Sequence, residues 1–379
     1  MTVEDMKVGR GGFPWRIRVE QRLVRPRWVS AIVPVLSIVL GLLTGALLIW
    51  ANGVDPIAAY VAMAKGAFGS KYALGETLVK TIPLILAGLG VSLAFRMQLW
   101  NIGAEGQLHM GAIAAGGIAL FLPQKFPQIQ PWMWLVIITA AGFAAGALWA
   151  LIPGALKAYL NVNEIITTLM LNYVAILWVD YLVNVPWKDP ASLGFPLTAV
   201  FPRELWLPRT PGLFFLTPRH RVHLGLLFGI VAAILLYVFV TRSKWGFEVD
   251  VIGRNQKAAR YAGMRIARNV LIVMAISGGL AGVAGMAEVM GIIHRLQHQI
   301  SPGYGYTAII IAWLAKLHPL VLPVVAFLFG ALLVAGDQLQ ISMGLPVAVS
   351  FILQGLILFF VLGGEILSYY TLRIERVSS

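Results

Sequence analysis

AIVPVLSIVLGLLTGALLIW, residues 31–50, contains no charged side chain, and as a helix rising about 1.5 Å per residue it spans the roughly 30 Å hydrocarbon core of a bilayer. Uncharged apolar runs recur at Leu224–Val240 and Leu320–Gly336. Of all 379 residues, 59% are hydrophobic and 12% charged, whereas a soluble domain carries about a quarter charged residues to cover its surface. A soluble fold is thereby excluded. The runs are continuous and rich in Leu, Ile, Ala and Gly, without the short alternating segments of a transmembrane barrel, so the backbone satisfies itself as helix. The expected fold class is an all-α integral membrane protein.

The hydropathy pattern predicts ten spans, at 29–50, 76–95, 99–122, 132–156, 163–184, 223–241, 270–292, 304–317, 320–340 and 346–363. Residues 1–28 form a polar, basic segment without the apolar core of a signal peptide, and the first run is long enough to be a retained span. With both termini cytoplasmic, residues 1–28, the stretch 242–269 and the tail 364–379 lie inside, 29–363 form the transmembrane domain, and 185–222 form its large outer loop. That orientation places 19 of the 29 Lys and Arg inside and nine outside, the bias expected of a multi-pass protein of the cytoplasmic (inner) membrane. The outer loop runs against the bias, with Lys188, Arg203, Arg209, Arg219 and Arg221, and its prolines and aromatics predict a folded cap. A net charge of +13 would suit nucleic acid, yet the basic residues flank apolar runs, which points to membrane lipid and topology instead. Nucleic acid is not an expected partner. Spans two to five and seven to ten begin on opposite sides, which permits an inverted repeat, although the two halves show no residue-level match. Cysteine is absent, which removes disulfides and thiolate metal sites.

Two segments fit poorly as plain spans. In MQLWNIGAEGQLHMG, residues 97–111, Asn101, Gly103, Glu105, Gly106 and Gln107 interrupt the apolar pattern and predict a broken helix. Tyr304–Leu317 is too short to cross unaided and follows Ser301, Pro302 and Gly303, the pattern of a half-helix preceded by irregular backbone, which must face protein or water. Asn101, Glu105 and Gln107 either face a solute path or satisfy the backbone groups freed by the break. A buried carboxylate at Glu105 needs a donor, water or a proton. Asn163 and Glu164 read as the N-cap and first-turn acid of span five, and Asn172 lies on the same helical face as Glu164. Glu288 and Asp337 fall in the outer halves of spans seven and nine, where they could orient a polar solute. Gly278, Gly279, Gly282 and Gly285 predict a close helix contact.

Nowhere does a Gly-x4-Gly-Lys-Ser/Thr phosphate loop occur, so the chain is not itself an ATPase. An ion-coupled secondary transporter would draw on Glu105, Glu288 and Asp337. In the cytoplasmic stretch SKWGFEVDVIGRNQKAARYAGMRIARN, residues 243–269, Gln256–Tyr261 predicts a short helix, with Gly253 and Gly263 as terminators and small Ala258, Ala259 and Ala262 for close docking to a soluble partner. His294 and His298 are spaced for one helical face but lack the further ligands of a zinc site, and no metal is expected there or at His220 and His223. No catalytic constellation stands out, so an enzyme is not expected.

Four ordered stretches, WNIGAEGQLHMGAIAA (100–115), LKAYLNVNEIITTLMLNY (156–173), GFEVDVIGRNQKAARYAGM (246–264) and GGLAGVAGMAEVMG (278–291), resemble the permeases of ABC importers for simple sugars and nucleosides, the nucleoside type most closely. The resemblance covers the chain from about residue 30 onward. It implies a permease subunit that forms the path for a nucleoside or simple sugar, with Asn101, Glu105, Gln107, Asn172, Glu288 and Asp337 along that path. It implies three partners: a second related permease, an ABC ATPase that binds the ATP and Mg, and an extracytoplasmic substrate-binding protein, with no cofactor on this chain. Residues 246–263 become the segment coupling to the ATPase, with Gly246, Asp250, Gly253, Asn255, Ala258, Ala259 and Gly263 as its candidate residues, while Gly103 and Gly106 serve the helix break. Departures from the family pattern are Trp100 for the usual Phe, His109 in an aliphatic position and WLAKLHP at 313–319.

Overall fold

The computed structural model describes residues 15–21, 27–210, 220–346 and 348–376. A helix occupies each predicted span: α1 (Arg27–Ala51), α3 (Lys71–Arg96), α4 (Ala104–Phe121), α5 (Pro131–Leu160), α6 (Glu164–Asn184), α7 (Gly225–Arg242), α10 (Ile266–Glu288), α11 (Tyr304–Leu314), α12 (Leu322–Met343) and α13 (Ala348–Tyr369). Six of these are long and apolar enough to cross a membrane on their own: α3, α5, α6, α7, α10 with its final π turn Val289–Ile293, and α12. A seventh crossing arises if α1 and the following α2 (Pro56–Phe68) form one bent span. Helix α2 lies in residues expected to be an outer loop. Two further helices, α8 (Lys244–Arg254) and α9 (Gln256–Tyr261), connect α7 to α10.

Among the described residues one element is not helical. Strands β1 (Trp15–Gln21) and β2 (Tyr370–Arg376) pair antiparallel, with Trp15 opposite Arg376 and Gln21 opposite Tyr370. The expected all-helical membrane fold holds for every span, and this ribbon adds to it in the segments 1–28 and 364–379. Helix α13 also runs past the predicted end at 363.

The chain divides into two units, one made of residues 1–57 and 351–379 and the other of residues 58–350. In the first, α1 and α13 approach closely at Gly41, where a methyl group would press on the backbone of Ile357. In the second, α3 and α10 are the central helices, and α3 is apolar on all sides because it is almost wholly buried. Between lipid-soluble helices no hydrophobic force selects the contact, so backbone proximity and packing do. Here that proximity is extreme. Gly278 and Gly282 of α10 abut Gly142 and Gly146 of α5, Gly111 of α4 abuts Gly282, and Gly285 lies against the Leu108 carbonyl. A side chain at Gly111, Gly146, Gly278, Gly282 or Gly285 would overlap the neighbouring backbone, and one at Gly142 would press on the Met286 side chain. Gly279 faces a different partner, the Phe143 ring.

Candidate translocation and coupling site

The first helix break begins where α3 ends. Gln98 takes φ 57°, and regular helix resumes only at Ala104, so the interruption covers 98–103 while Glu105 and Gln107 sit in the first turns of α4. Backbone freed at membrane depth must find partners inside the protein. Asn101, fully buried, supplies one and is itself fixed by side chains: its Oδ1 accepts from the Gly103 amide and from Gln107 Nε2, both at 3.0 Å, and its Nδ2 donates to Gln107 Oε1 at 3.0 Å and Ser277 Oγ at 2.9 Å. From α6, Asn172 accepts from the Gly106 amide at 2.8 Å and donates to the Ile102 carbonyl at 2.8 Å and Tyr306 Oη at 3.3 Å. Thr168 accepts from the Ile102 amide at 3.3 Å.

The second break lies before α11, where Gly303 has φ 97° and Ser301 Oγ accepts from the Gly303 and Tyr304 amides at 3.0 and 2.9 Å. Glu105, 2% exposed, joins the two breaks: its Oε2 accepts from the Gly305 amide at 2.7 Å. A carboxylate is favoured at that position because the first amides of α11 are unpaired and the helix dipole is positive there. Gly305 is required for the approach, since a methyl group on it would collide with the Glu105 backbone. The donor that Glu105 needs is thus a helix N-terminus 200 residues away in sequence. His109 Nδ1 lies 2.8 Å from the Glu105 carbonyl oxygen. Two departures from the family pattern also meet: the rings of Trp100 and Trp313 stack at 5.9 Å, and both pack on Phe95.

Farther out, Glu288 of α10 is buried, and the cations facing it are Lys80 and Arg221. The buried Tyr304 ring lies 6.0 Å from Lys80 Nζ, and the Tyr304 hydroxyl is buried with no hydrogen-bond partner among the described residues. Asp337 is exposed on α12. Arg221 forms a two-pronged ion pair with Glu76 at the start of α3.

The described parts of the outer loop, 185–210 and 220–222, fold over this end. Leu197 bridges to Gln297 and Arg209 to His223, the Phe201 amide donates to the His294 carbonyl at 2.8 Å, and the Trp206 ring stacks on His294 at 3.6 Å. Arg203, Arg209, Arg221, Trp206 and His294 line a cavity of about 330 Å³; Arg219 lies outside the described residues. His294 does not share a helical face with His298, because it ends the π turn with φ 59° and the chain leaves the helix there. His298 instead contacts Asp180 at 2.6 Å. Burial lowers the pKa of His294, helped by Arg209 and Arg221, and burial together with His294 lowers that of His223 to about 4.

At the opposite end the expected single docking helix is two. Ser243 caps α8 by accepting from the Gly246 amide at 3.0 Å, and Asn255 caps α9 by accepting from the Lys257 and Ala258 amides at 3.0 and 3.1 Å. Gly253 does not terminate a helix. It lies inside α8, pressed on the Arg96 carbonyl, and the chain breaks at Asn255 instead. Gly263, with φ 74°, does lie at the end of α9. Ala259 is buried and faces the body of the protein, whereas Ala258, Arg260 and Tyr261 are exposed. Arg96, at the end of α3, has two partners: Nη1 lies 3.3 Å from Asp250 of α8, and Nε donates to the Leu317 carbonyl beyond α11 at 3.2 Å. Thr168, Ser277 and Tyr306 were missed, because nothing in their local sequence marks them as partners of a break elsewhere.

Apolar helices around two cross-braced breaks, with an exposed helical elbow at one end, are the parts of a membrane transport protein. Residues 73–362 match the family described as "Branched-chain amino acid transport system / permease component", and the chain belongs to it. It is 36% identical to the glucose ABC transporter permease of Haloferax volcanii over 94% of each chain. Identity to a guanosine ABC transporter permease of Bacillus subtilis is 35%, covering 87% of this chain and 92% of that one. A second guanosine permease of the same organism is 25% identical, covering 71% of this chain and 84% of that one.

Proposed function

We propose that this chain is the permease subunit of an ATP-driven importer and forms, with a second related permease, an alternating-access path for a nucleoside or simple sugar. The observation that carries this reading is near full-length similarity to permeases named for guanosine, at 35% identity, and for glucose, at 36%. Two guanosine permeases in one organism, related to this chain at 35% and 25%, favour a heteromeric pair. Partners of stated kind are an ABC ATPase carrying ATP and Mg on the cytoplasmic side and a substrate-binding protein outside. Ten crossings with both termini cytoplasmic fit the helix at each predicted span. Pairing of β1 with β2 favours this too, because strands that pair lie on one side of the membrane, which requires an even number of crossings.

In this reading α9 presents Ala258, Arg260 and Tyr261 to the ATPase, and α8 carries the displacement inward. Asp250 passes it to Arg96, and Arg96 to the Leu317 carbonyl at the foot of α11. Helix α11 is a strut of 11 residues, about 17 Å, whose other end is held by Glu105. Movement at the cytoplasmic elbow therefore reaches the break at 98–103 without passing through lipid-facing contacts. Asn101, Gln107 and Asn172 hold the break's shape, while Tyr306, which is partly exposed beside Asn172, stands where the break meets open space.

The ion-coupled alternative would make Glu105, Glu288 and Asp337 the coupling groups. Reconstitution separates the two: proteoliposomes containing this chain and its copurifying partners, with binding protein outside, should take up radiolabelled guanosine or glucose only with ATP inside. Uptake that follows a proton or sodium gradient and ignores ATP would replace this reading with the alternative.

A further inference from the structure

A furrow of about 490 Å³ runs along the outside of the helix bundle between α7 and α10. Its walls are Ala232, Leu235, Leu236, Val238 and Phe239 of α7 and Ile276 and Leu280 of α10, and its sole polar lining, Arg242 and Ser243, is at one end. The furrow exists because α7 and α10 both pack on α3 but not closely on each other.

Its dimensions and polarity suit one kind of occupant. From Ala232 to Arg242 along a helix is about 15 Å, half of the roughly 30 Å hydrocarbon core, and so the depth of one leaflet. Arg242 and the next cation, Lys244, are both exposed. Ser243 is spent on capping α8, so the free polar chemistry at this end is cationic. Trp245 follows, its ring 4.8 Å from Phe239 and its Nε1 donating to Asn269 at 3.0 Å, the half-apolar, half-polar setting that Trp takes at a membrane–water boundary. The nearby acid Glu248 is held by Asn269 Nδ2 at 2.9 Å. A second protein helix, about 10–12 Å across with its side chains, would find along the apolar wall only Ala232 among the small residues that let helix backbones approach closely.

We propose that the furrow is a binding site for an anionic glycerophospholipid, one acyl chain lying between α7 and α10 and the headgroup phosphate at Arg242 and Lys244. Bound there, the lipid fills the space between two helices that flank the central α3 and ties the end of α7 to the start of α8. The site depends only on the chain spanning a membrane, so it stands or falls apart from the importer reading.

The test uses the full chain reconstituted with phosphatidylglycerol or phosphatidylcholine whose acyl chain carries a photoreactive diazirine, followed by peptide mapping. Cross-links are expected to concentrate on 232–239 and 276–280, with phosphatidylglycerol favoured about fivefold if one of the two basic residues meets the headgroup and up to about thirtyfold if both do. Arg242→Glu with Lys244→Glu should erase the headgroup preference while leaving the chain inserted. Ala232→Trp, which fills the furrow and leaves the cations in place, should remove the cross-links themselves. Cross-links spread evenly over lipid-facing helices, or unchanged in both variants, would overturn the proposal. So would a disulfide between Leu235→Cys and a cysteine on a second permease, which is a clean probe because the chain has no cysteine of its own.

Discussion

Glu105 illustrates how a costly residue becomes a fixed point. Its carboxylate accepts from the Gly305 amide, so Glu105→Ala leaves a buried N–H without an acceptor at a cost of about 1–3 kcal/mol, whereas Glu105→Gln keeps an acceptor oxygen at the same reach. Thermal unfolding in detergent should show a clear loss for the alanine variant and a smaller one for glutamine; equal losses would mean that charge, not acceptance, matters there. His223 and His294 carry a second prediction. Both are held neutral in the folded protein, with pKa values below the ordinary histidine value of 6.5, so the unfolded chain takes up protons first as pH falls. Stability is then fully present above about pH 6.5 and declines toward pH 4, and His223→Gln should flatten that part of the profile when melting is followed against pH. Trp100 and Trp313 show what a linear sequence hides: each departs from the family pattern in a different motif, and the departures stack on each other.

At the scale of elements, the two interrupted segments were legible because glycine and polar residues at 97–111 and 301–305 violate an otherwise apolar pattern. Their junction was not, since no local signal tells Glu105 that its donor lies at Gly305. Helix α2 was missed because its apolar run is too short to be read as a span. The ribbon was missed for a different reason. WRIRVEQ and YTLRIER alternate apolar and polar residues, a strand pattern that went unread because the segments were weighed for charge alone. The seam of α10 with α4 and α5 leaves no room for growth: Gly285→Val would force the helices apart at the Leu108 carbonyl and should cost more than the 1–3 kcal/mol typical of overpacking, read as a lower melting temperature or loss of the folded species. The Arg96 link gives a functional prediction of a different kind. Arg96→Ala should leave ATP turnover in the assembled complex while transport per ATP falls several-fold, and Gly253→Pro in α8 should abolish substrate-stimulated turnover altogether. Equal transport per ATP in wild type and Arg96→Ala would show that movement reaches α11 by another route.

For the whole molecule, the pairing of the two terminal strands requires an even number of crossings, and charge bias alone chooses the side on which both termini lie in the proposed topology. Single cysteines test it directly in this cysteine-free chain. Leu193→Cys, 93% exposed in the large loop, should react with a membrane-impermeant maleimide on intact cells, and Tyr261→Cys, 94% exposed on α9, only in inverted vesicles; the reverse pattern would turn the protein over. Substrate is the least legible property, because the polar side chains of the breaks are spent on one another and on backbone. The measurement that bears most directly on the central claim is uptake of radiolabelled guanosine and glucose by proteoliposomes holding the assembled complex, with binding protein outside and ATP either trapped inside or omitted. Accumulation of one of these solutes that requires internal ATP is the predicted result, and accumulation driven by an ion gradient without ATP would contradict it.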